Sequence, residues 1–263
     1  TQVQIRKNKL RMQKVQHIFI SHLHGDHYFG LPGLLSTFHL LGREKELHIY
    51  GPEDLEKVLQ KIFKASNTYL SFELHFHALN FKVSELLYED KRLEVHSFPM
   101  RHSVATCGFL IKEKMKPRKI NRKAVDSFDV PVYELNKIKD GADYLMEDGT
   151  RIANSKLTFD SDPAISYAYC SDTSYYPRMC QFIKGADLLY HEATFAKDME
   201  KLAKQTKHST AEQAAFIAKE ASVKQLVIGH YSARYTDLDV LLNEAKSVFE
   251  NTILAHDGMK INL

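Results

Sequence analysis

Residues Ser21-His22-Leu23-His24-Gly25-Asp26-His27 place three histidines and a carboxylate directly behind an apolar run, Ile18-Phe19-Ile20. A β-like run that ends in a glycine turn lets alternating side chains converge. His22 and His24, two apart on extended backbone, project to one side. Asp26 and His27 lie past the turn and reach a second position. Neutral imidazole and carboxylate are the ligands that Zn²⁺ and its neighbours accept. H-x-H-x-D-H therefore reads as half of a two-metal site. The bland alternative is a histidine-rich surface turn, since the chain has 14 histidines. Four ligand-type side chains at this spacing behind a strand weigh against it.

A half-site demands a fold that delivers the other half, and the strand ends of the sequence supply it. Arg101-His102-Ser103 follows the alternating stretch Leu93–Phe98, and Ser171-Asp172-Thr173 follows Ile165–Cys170. His191-Glu192-Ala193-Thr194 follows Asp187–Tyr190, and His230-Tyr231-Ser232-Ala233-Arg234-Tyr235 follows Gln225–Ile228. Polar groups at the ends of buried strands are where layered folds build sites. The ligands divide chemically into two sets. His22, His24 and His102 suit one ion, and Asp26, His27 and His230 suit the other. Asp172, with two carboxylate oxygens, can bridge them. Such a pair ionises a water and clamps both oxygens of an in-line displacement at phosphorus. Asp26 can also accept a hydrogen bond from that hydroxide. His208, in Lys207-His208-Ser209-Thr210, is the candidate donor to a leaving oxygen, oriented by Glu192. A helix-capping surface histidine is the alternative for His208. Arg234 can steady a phosphate oxygen, or form an ordinary surface ion pair.

The run H-x-H-x-D-H resembles the metallo-β-lactamase superfamily. His191-Glu192-Ala193-Thr194, His208-Ser209-Thr210 and His230 through Tyr235 narrow the resemblance to the ribonuclease Z family. It implies an α/β (α+β) fold: a four-layer αββα metallo-β-lactamase-type sandwich with an inserted basic arm. It also implies two Zn²⁺ per subunit on His22, His24, Asp26, His27, His102, Asp172 and His230, with Mn²⁺ or Fe²⁺ as alternatives. The implied activity is endonucleolytic removal of the 3′ trailer from precursor tRNA by metal-activated hydroxide. The products would be a 3′-hydroxyl on the tRNA and a 5′-phosphate on the trailer. The family forms homodimers in which one subunit's arm serves the other's site, and a homodimer is the expectation here.

The remaining pattern is consistent with one domain over 1–263. Helices are expected over 3–13, 28–41, 53–65, 210–221 and 238–249, where apolar residues recur at helical spacing. Ser209 or Thr210 should cap the fourth of these. Strands are expected at 15–20, 47–50, 70–81, 93–98, 165–170, 187–190, 225–228, 253–255 and 260–263. His75 and His77 read as structural. Residues 112–123 hold seven cations and one anion, and the stretch to 154 lacks a sustained apolar period. We read 112–154 as an inserted, exosite-like arm. Lys114, Lys116, Arg118 and Lys119 are its phosphate-binding candidates, with a solvated loop as the alternative.

Net charge is only +3, so local clusters rather than bulk charge must hold a polyanion. Cys107, Cys170 and Cys180 are odd in number and form no C-x-x-C pair. That suits free thiols in a reducing, cytoplasmic compartment. No apolar run approaches membrane-spanning length, so no membrane partner is expected. The chain opens on Thr-Gln-Val-Gln. The resemblance puts these residues just after the family's first strands and an early Asp-containing motif, so that segment is expected outside this sequence. The competing functional class is another dizinc hydrolase of this fold acting on small phosphodiesters. A non-catalytic RNA-binding relative would lack the ligands.

Overall fold

The computed structural model describes residues 1–263. The chain divides into two compact units. The first comprises Thr1–Tyr88, Val95–Ile111 and Ser166–Leu263, and the second Glu89–Glu94 and Lys112–Ile165. Strands in chain order are β1 (His17–Phe19), β2 (Leu47–Gly51), β3 (Leu74–Ala78), β4 (Glu85–Glu89), β5 (Leu93–Pro99) and β6 (Cys107–Glu113). Four two-residue strands follow: β7 (Lys119–Ile120), β8 (Tyr144–Leu145), β9 (Arg151–Ile152) and β10 (Thr158–Phe159). The last four are β11 (Ser166–Cys170), β12 (Leu188–Glu192), β13 (Gln225–Gly229) and β14 (Thr252–Leu254).

In the first unit β1, β2 and β3 form a parallel three-stranded sheet. A seven-stranded sheet runs β14-β13-β12-β11-β6-β5-β4, with β11 to β14 parallel. Alternation sorts the side chains of the small sheet. Leu47 and Ile49 pack beneath helices Gly30–Leu40 and Asp54–Ala65, with Leu31, Leu35, Phe38, Leu55 and Leu59. Tyr50 and Phe19, on the opposite face, meet Cys107, Phe109 and Tyr169 of the large sheet. The other face of that sheet is covered by helices Cys180–Ile183, Ala211–Glu220 and Asp239–Val248. Helix, sheet, sheet and helix thus make the four-layer αββα sandwich that the resemblance implies.

Helix Ala211–Glu220 shows how the sequence achieves this. Ala211, Ala214, Ala215 and Ala218 are fully buried, so short side chains let the helix lie close to the sheet. Thr210 caps it: its side chain accepts from Gln213 N–H, while the Gln213 side chain accepts from Thr210 N–H. This reciprocal capping box satisfies two otherwise unpaired donors.

Several sequence expectations need correction. β4, β6 and the short helices Cys180–Ile183 and Glu200–Thr206 were not anticipated. Residues 260–263 form no strand, and the N-terminal helix covers only Gln2–Lys7. The stretch 112–154 is not irregular. It contributes helices Arg122–Ser127 and Leu135–Lys139 and two antiparallel ribbons, β7 with β10 and β8 with β9. Val125, Val130, Ile138, Ile152 and Leu157 form a core of the second unit's own. Each of its elements is too short to show a periodic pattern. No helix is long and apolar enough to cross a membrane.

Candidate dinuclear metal centre

Parallel register brings the polar residues of the large sheet to one edge. Glu192 lies opposite Gly229, and His191 opposite both Cys170 and Ile228. Asp172 and His230 therefore leave neighbouring strands just past Glu192. Both adopt left-handed backbone, with φ of 53° and 57°, and so does Lys207 before His208, with φ of 57°. Such conformations cost of order 1 kcal/mol each and collect at functional sites. Gly229 is required for space. A Cβ there would lie 2.4 Å from the Tyr190 hydroxyl.

All seven sequence-selected ligand residues converge. His22, His24, His102 and Asp172 form one group of mutually close ligand atoms, and Asp26, His27 and His230 another. Asp172 faces both with different oxygens. Its Oδ2 lies 3.5 Å from His22 Nε2 and 3.6 Å from His102 Nε2. Its Oδ1 lies 3.2 Å from His27 Nε2 and 3.3 Å from His230 Nε2. Asp26 Oδ2 stands 3.3 Å from His27 Nε2 and 3.7 Å from His230 Nε2. His22 is fully buried, and Asp172 nearly so at 2%.

Proton placement tests whether cations fit. His102 Nδ1 sits 2.8 Å from the Lys207 carbonyl, which only accepts. The proton is therefore on Nδ1, and in the neutral ring Nε2 turns its lone pair into the cluster, 3.1 Å from His24 Nδ1 and 3.6 Å from Asp172 Oδ2. His230 Nδ1 donates in the same way to Thr194 Oγ1 at 3.0 Å, because the Thr194 hydroxyl is committed to Glu192 Oε2 at 2.6 Å. His22 Nδ1 is engaged by Ser21 Oγ at 3.0 Å. The buried Nε2 atoms of His22 and His27 make no hydrogen bond of acceptable geometry. Imidazole lone pairs thus converge on carboxylate oxygens, an arrangement that divalent cations satisfy and apolar packing does not.

Burial pushes the Asp172 carboxyl up, but the facing imidazoles, His22 and His27 first, outweigh it and hold it far below the usual carboxylate range. Burial lowers the basicity of His102 and His24, favouring the neutral rings that ligation requires, whereas at His27 the Asp172 carboxylate outweighs burial and raises it.

Beside the ligand set, His208 Nδ1 donates to Glu192 Oε1 at 2.9 Å. Burial lowers the His208 pKa, and the Glu192 carboxylate more than offsets this, leaving it raised. Glu192 is wholly buried. It also accepts from Thr173 N–H at 2.7 Å and Ser209 N–H at 3.1 Å. Arg234 is exposed, with its guanidinium over the Phe195 ring at 5.9 Å. Phe195 in turn lies 6.3 Å from the His208 ring. The predicted phosphate contacts of the second unit are ion-paired: Lys114 to Glu89 and Arg118 to Asp160, each at 2.6 Å. Lys116 pairs with Glu113 at 3.0 Å and Lys119 with Asp162 at 2.6 Å.

A family model for the beta-lactamase superfamily domain matches residues 2–154 and 147–231. Ribonuclease Z of Bacteroides fragilis (strain YCH46) is 51% identical over 262 residues, spanning 100% of this chain and 86% of that protein. The chain belongs to the ribonuclease Z family. Another family member, from Porphyromonas gingivalis (strain W83), is 45% identical with the same coverage. Among solved structures, the short form of human tRNase Z superposes with a TM-score of 0.70 at 27% identity. That match covers 99% of this chain and 84% of the human one. A diphosphatase of the PhnP family, TM-score 0.60 at 18% identity, shares the fold alone.

For this ribonuclease Z family member, residue patterns found the candidate ligand atoms that the fold brings together but not what orients them. Thr194, the Lys207 carbonyl and Ser21 each fix an imidazole. Thr194 lies in the His191–Thr194 segment, where the sequence alone assigns it no role. A carbonyl has no sequence signal at all.

Proposed function

We propose that this chain is a zinc-dependent endoribonuclease that removes the 3′ trailer from precursor tRNA. It leaves a 3′-hydroxyl on the tRNA and a 5′-phosphate on the trailer. Within the established family, one observation carries the reading: Asp172 separates two ligand groups while the Glu192–His208 pair stands beside them. His22, His24 and His102 would hold one Zn²⁺, and Asp26, His27 and His230 the other, with Asp172 shared. Mn²⁺ and Fe²⁺ suit the same donors. Bound there, such a pair supplies an ionised water and neutralises charge developing at phosphorus.

The chain's own residues do the rest. Asp26, largely exposed, accepts a hydrogen bond from the nucleophile and orients it. Glu192 fixes His208 Nδ1–H, leaving Nε2 to deliver a proton to the departing ribose O3′. Arg234, steadied on Phe195, offers two parallel donors to the non-bridging oxygens of the phosphate. Lys114, Lys116, Arg118 and Lys119 grip the RNA body by exchanging surface carboxylates for phosphates. Such exposed pairs are worth about 0–1 kcal/mol each, so the exchange is inexpensive.

The reading extends to a homodimer in the cytoplasm. The three cysteines are free thiols, as a reducing compartment allows. Sedimentation of the zinc-loaded protein should give twice the chain mass. The deciding test incubates the metal-loaded protein with trailer-bearing precursor tRNA and maps the new ends. A 3′-hydroxyl and a 5′-phosphate are expected. A 2′,3′-cyclic phosphate would contradict attack by water.

A further inference from the structure

A cavity of about 350 Å³ opens beside His208, with Arg101, Tyr175, Glu200, Lys204 and Lys207 in its walls. A second depression, of about 510 Å³, shares Arg101 and Tyr175 with it and extends to Arg178. Sharing that wall, the two are treated as one trough, with His208 lining its first part only. Four cations line it, and none of them forms an ion pair. Lys207 Nζ contacts only the His102 carbonyl, at 3.4 Å. Glu200, the one carboxylate of the first cavity, is engaged by Gln213 Nε2 at 3.1 Å. Residues 112–123 differ: every cation there except Lys123 is paired with a carboxylate. Cations and anions also balance in number across the second unit. Tyr175 is 39% exposed, so its ring offers a stacking surface.

We infer that this trough seats the RNA strand on the 5′ side of the scissile phosphate. The terminal base of the product would lie on Tyr175, and its backbone phosphates would run along Arg101, Lys204, Lys207 and Arg178. The direction follows from chemistry and rests on the proposed role of His208. Water attacks phosphorus, the P–O3′ bond breaks, and O3′ leaves with its electron pair and takes the His208 proton. The ribose that carries O3′ therefore abuts His208. The strand behind that ribose has to continue into the space next to it, which is the trough. Base–aromatic stacking tolerates any base, and cations along a single strand act by counterion release. Tyr175 is thereby a substrate-positioning residue, and Lys204 and Arg178 add affinity.

The test uses zinc-loaded protein and precursor tRNA carrying 4-thiouridine either just before or just after the cleavage site. The RNA is irradiated before turnover, and the adduct is mapped by mass spectrometry. The 5′-side probe should cross-link to Tyr175, and the 3′-side probe should not. In parallel, Lys204→Ala with Arg178→Ala, both exposed positions, should flatten the slope of log KM against log salt by about 1.4, two single-strand phosphate contacts' worth. Precursor that cross-links at Tyr175 yet is not cut supports the trough and counts against the proposed reaction. Precursor that is cut normally, with adducts elsewhere or an unchanged salt slope, overturns the trough alone.

Discussion

At the scale of single residues, the centre depends on which ring nitrogen carries each proton. Glu192 sets two imidazoles at once: His208 directly, and His230 through the Thr194 hydroxyl. Thr194→Val keeps the shape and removes the relay, so His230 Nδ1 loses its acceptor. Loss of such a support weakens metal binding by about 10- to 100-fold, which chelator competition would measure; unchanged affinity would refute the relay. His208→Ala should lower kcat on precursor tRNA by about 10²- to 10⁴-fold, the range for general acids, while bound metal stays at the wild-type level. Equal loss of metal and rate would make His208 a ligand instead. The candidate ligands were legible because their chemistry is local to H-x-H-x-D-H and to strand ends. Apart from Ser21, the neighbour of His22, their orienting partners were not, since they come from chain segments that only folding brings together. The Lys207 carbonyl, for example, reaches His102 from 105 positions away.

At the scale of elements, strand edges hold the centre in place. β6 escaped the sequence reading because Cys107-Gly108-Phe109-Leu110-Ile111 shows no alternation. It is a central strand between β5 and β11, with apolar side chains on both faces. Gly108 is there for space. A Cβ would sit 2.4 Å from the buried Phe98 ring and 3.0 Å from the Tyr169 carbonyl. Gly108→Ala should therefore destabilise the fold by about 1–3 kcal/mol in denaturant unfolding; wild-type stability would contradict this packing. Asp187 ties the starts of β11 and β13. It accepts from Ser166 N–H at 2.7 Å and Ser166 Oγ at 2.8 Å, and pairs with Lys224 at 2.6 Å. Burial raises its pKa, but these partners prevail and the net shift is downward. Its contribution is thus present above the unfolded carboxyl's pKa, near ~3.9, and is lost as pH falls through the lower folded value. Asp187→Asn should cost about 1–2 kcal/mol at neutral pH, with the gap to wild type closing in acid. A gap that persists at the lowest pH would show that charge is irrelevant there.

At the scale of the whole chain, the main helices and strands of the sandwich were legible because each repeats a simple period, whereas their four-layer order followed from the family resemblance. Helices carry apolar stripes, and the strands end in polar clusters. The second unit was not, because its order resides in short elements around five buried side chains. Its cations, read as a basic run, turn out to be matched by carboxylates brought from elsewhere in the unit. Replacing 115–162 by a short linker should cripple processing of precursor tRNA and spare hydrolysis of a small phosphodiester. Equal loss of both would show that the segment supports the fold rather than the RNA.

The account stands on one carboxylate serving two cations, and metal content tests it most directly. Elemental analysis of the purified protein and of Asp172→Ala, after dialysis against trace zinc, should give two zinc ions per chain in the first and nearly none in the second. A single ion in the wild-type protein, or two retained without Asp172, would contradict it.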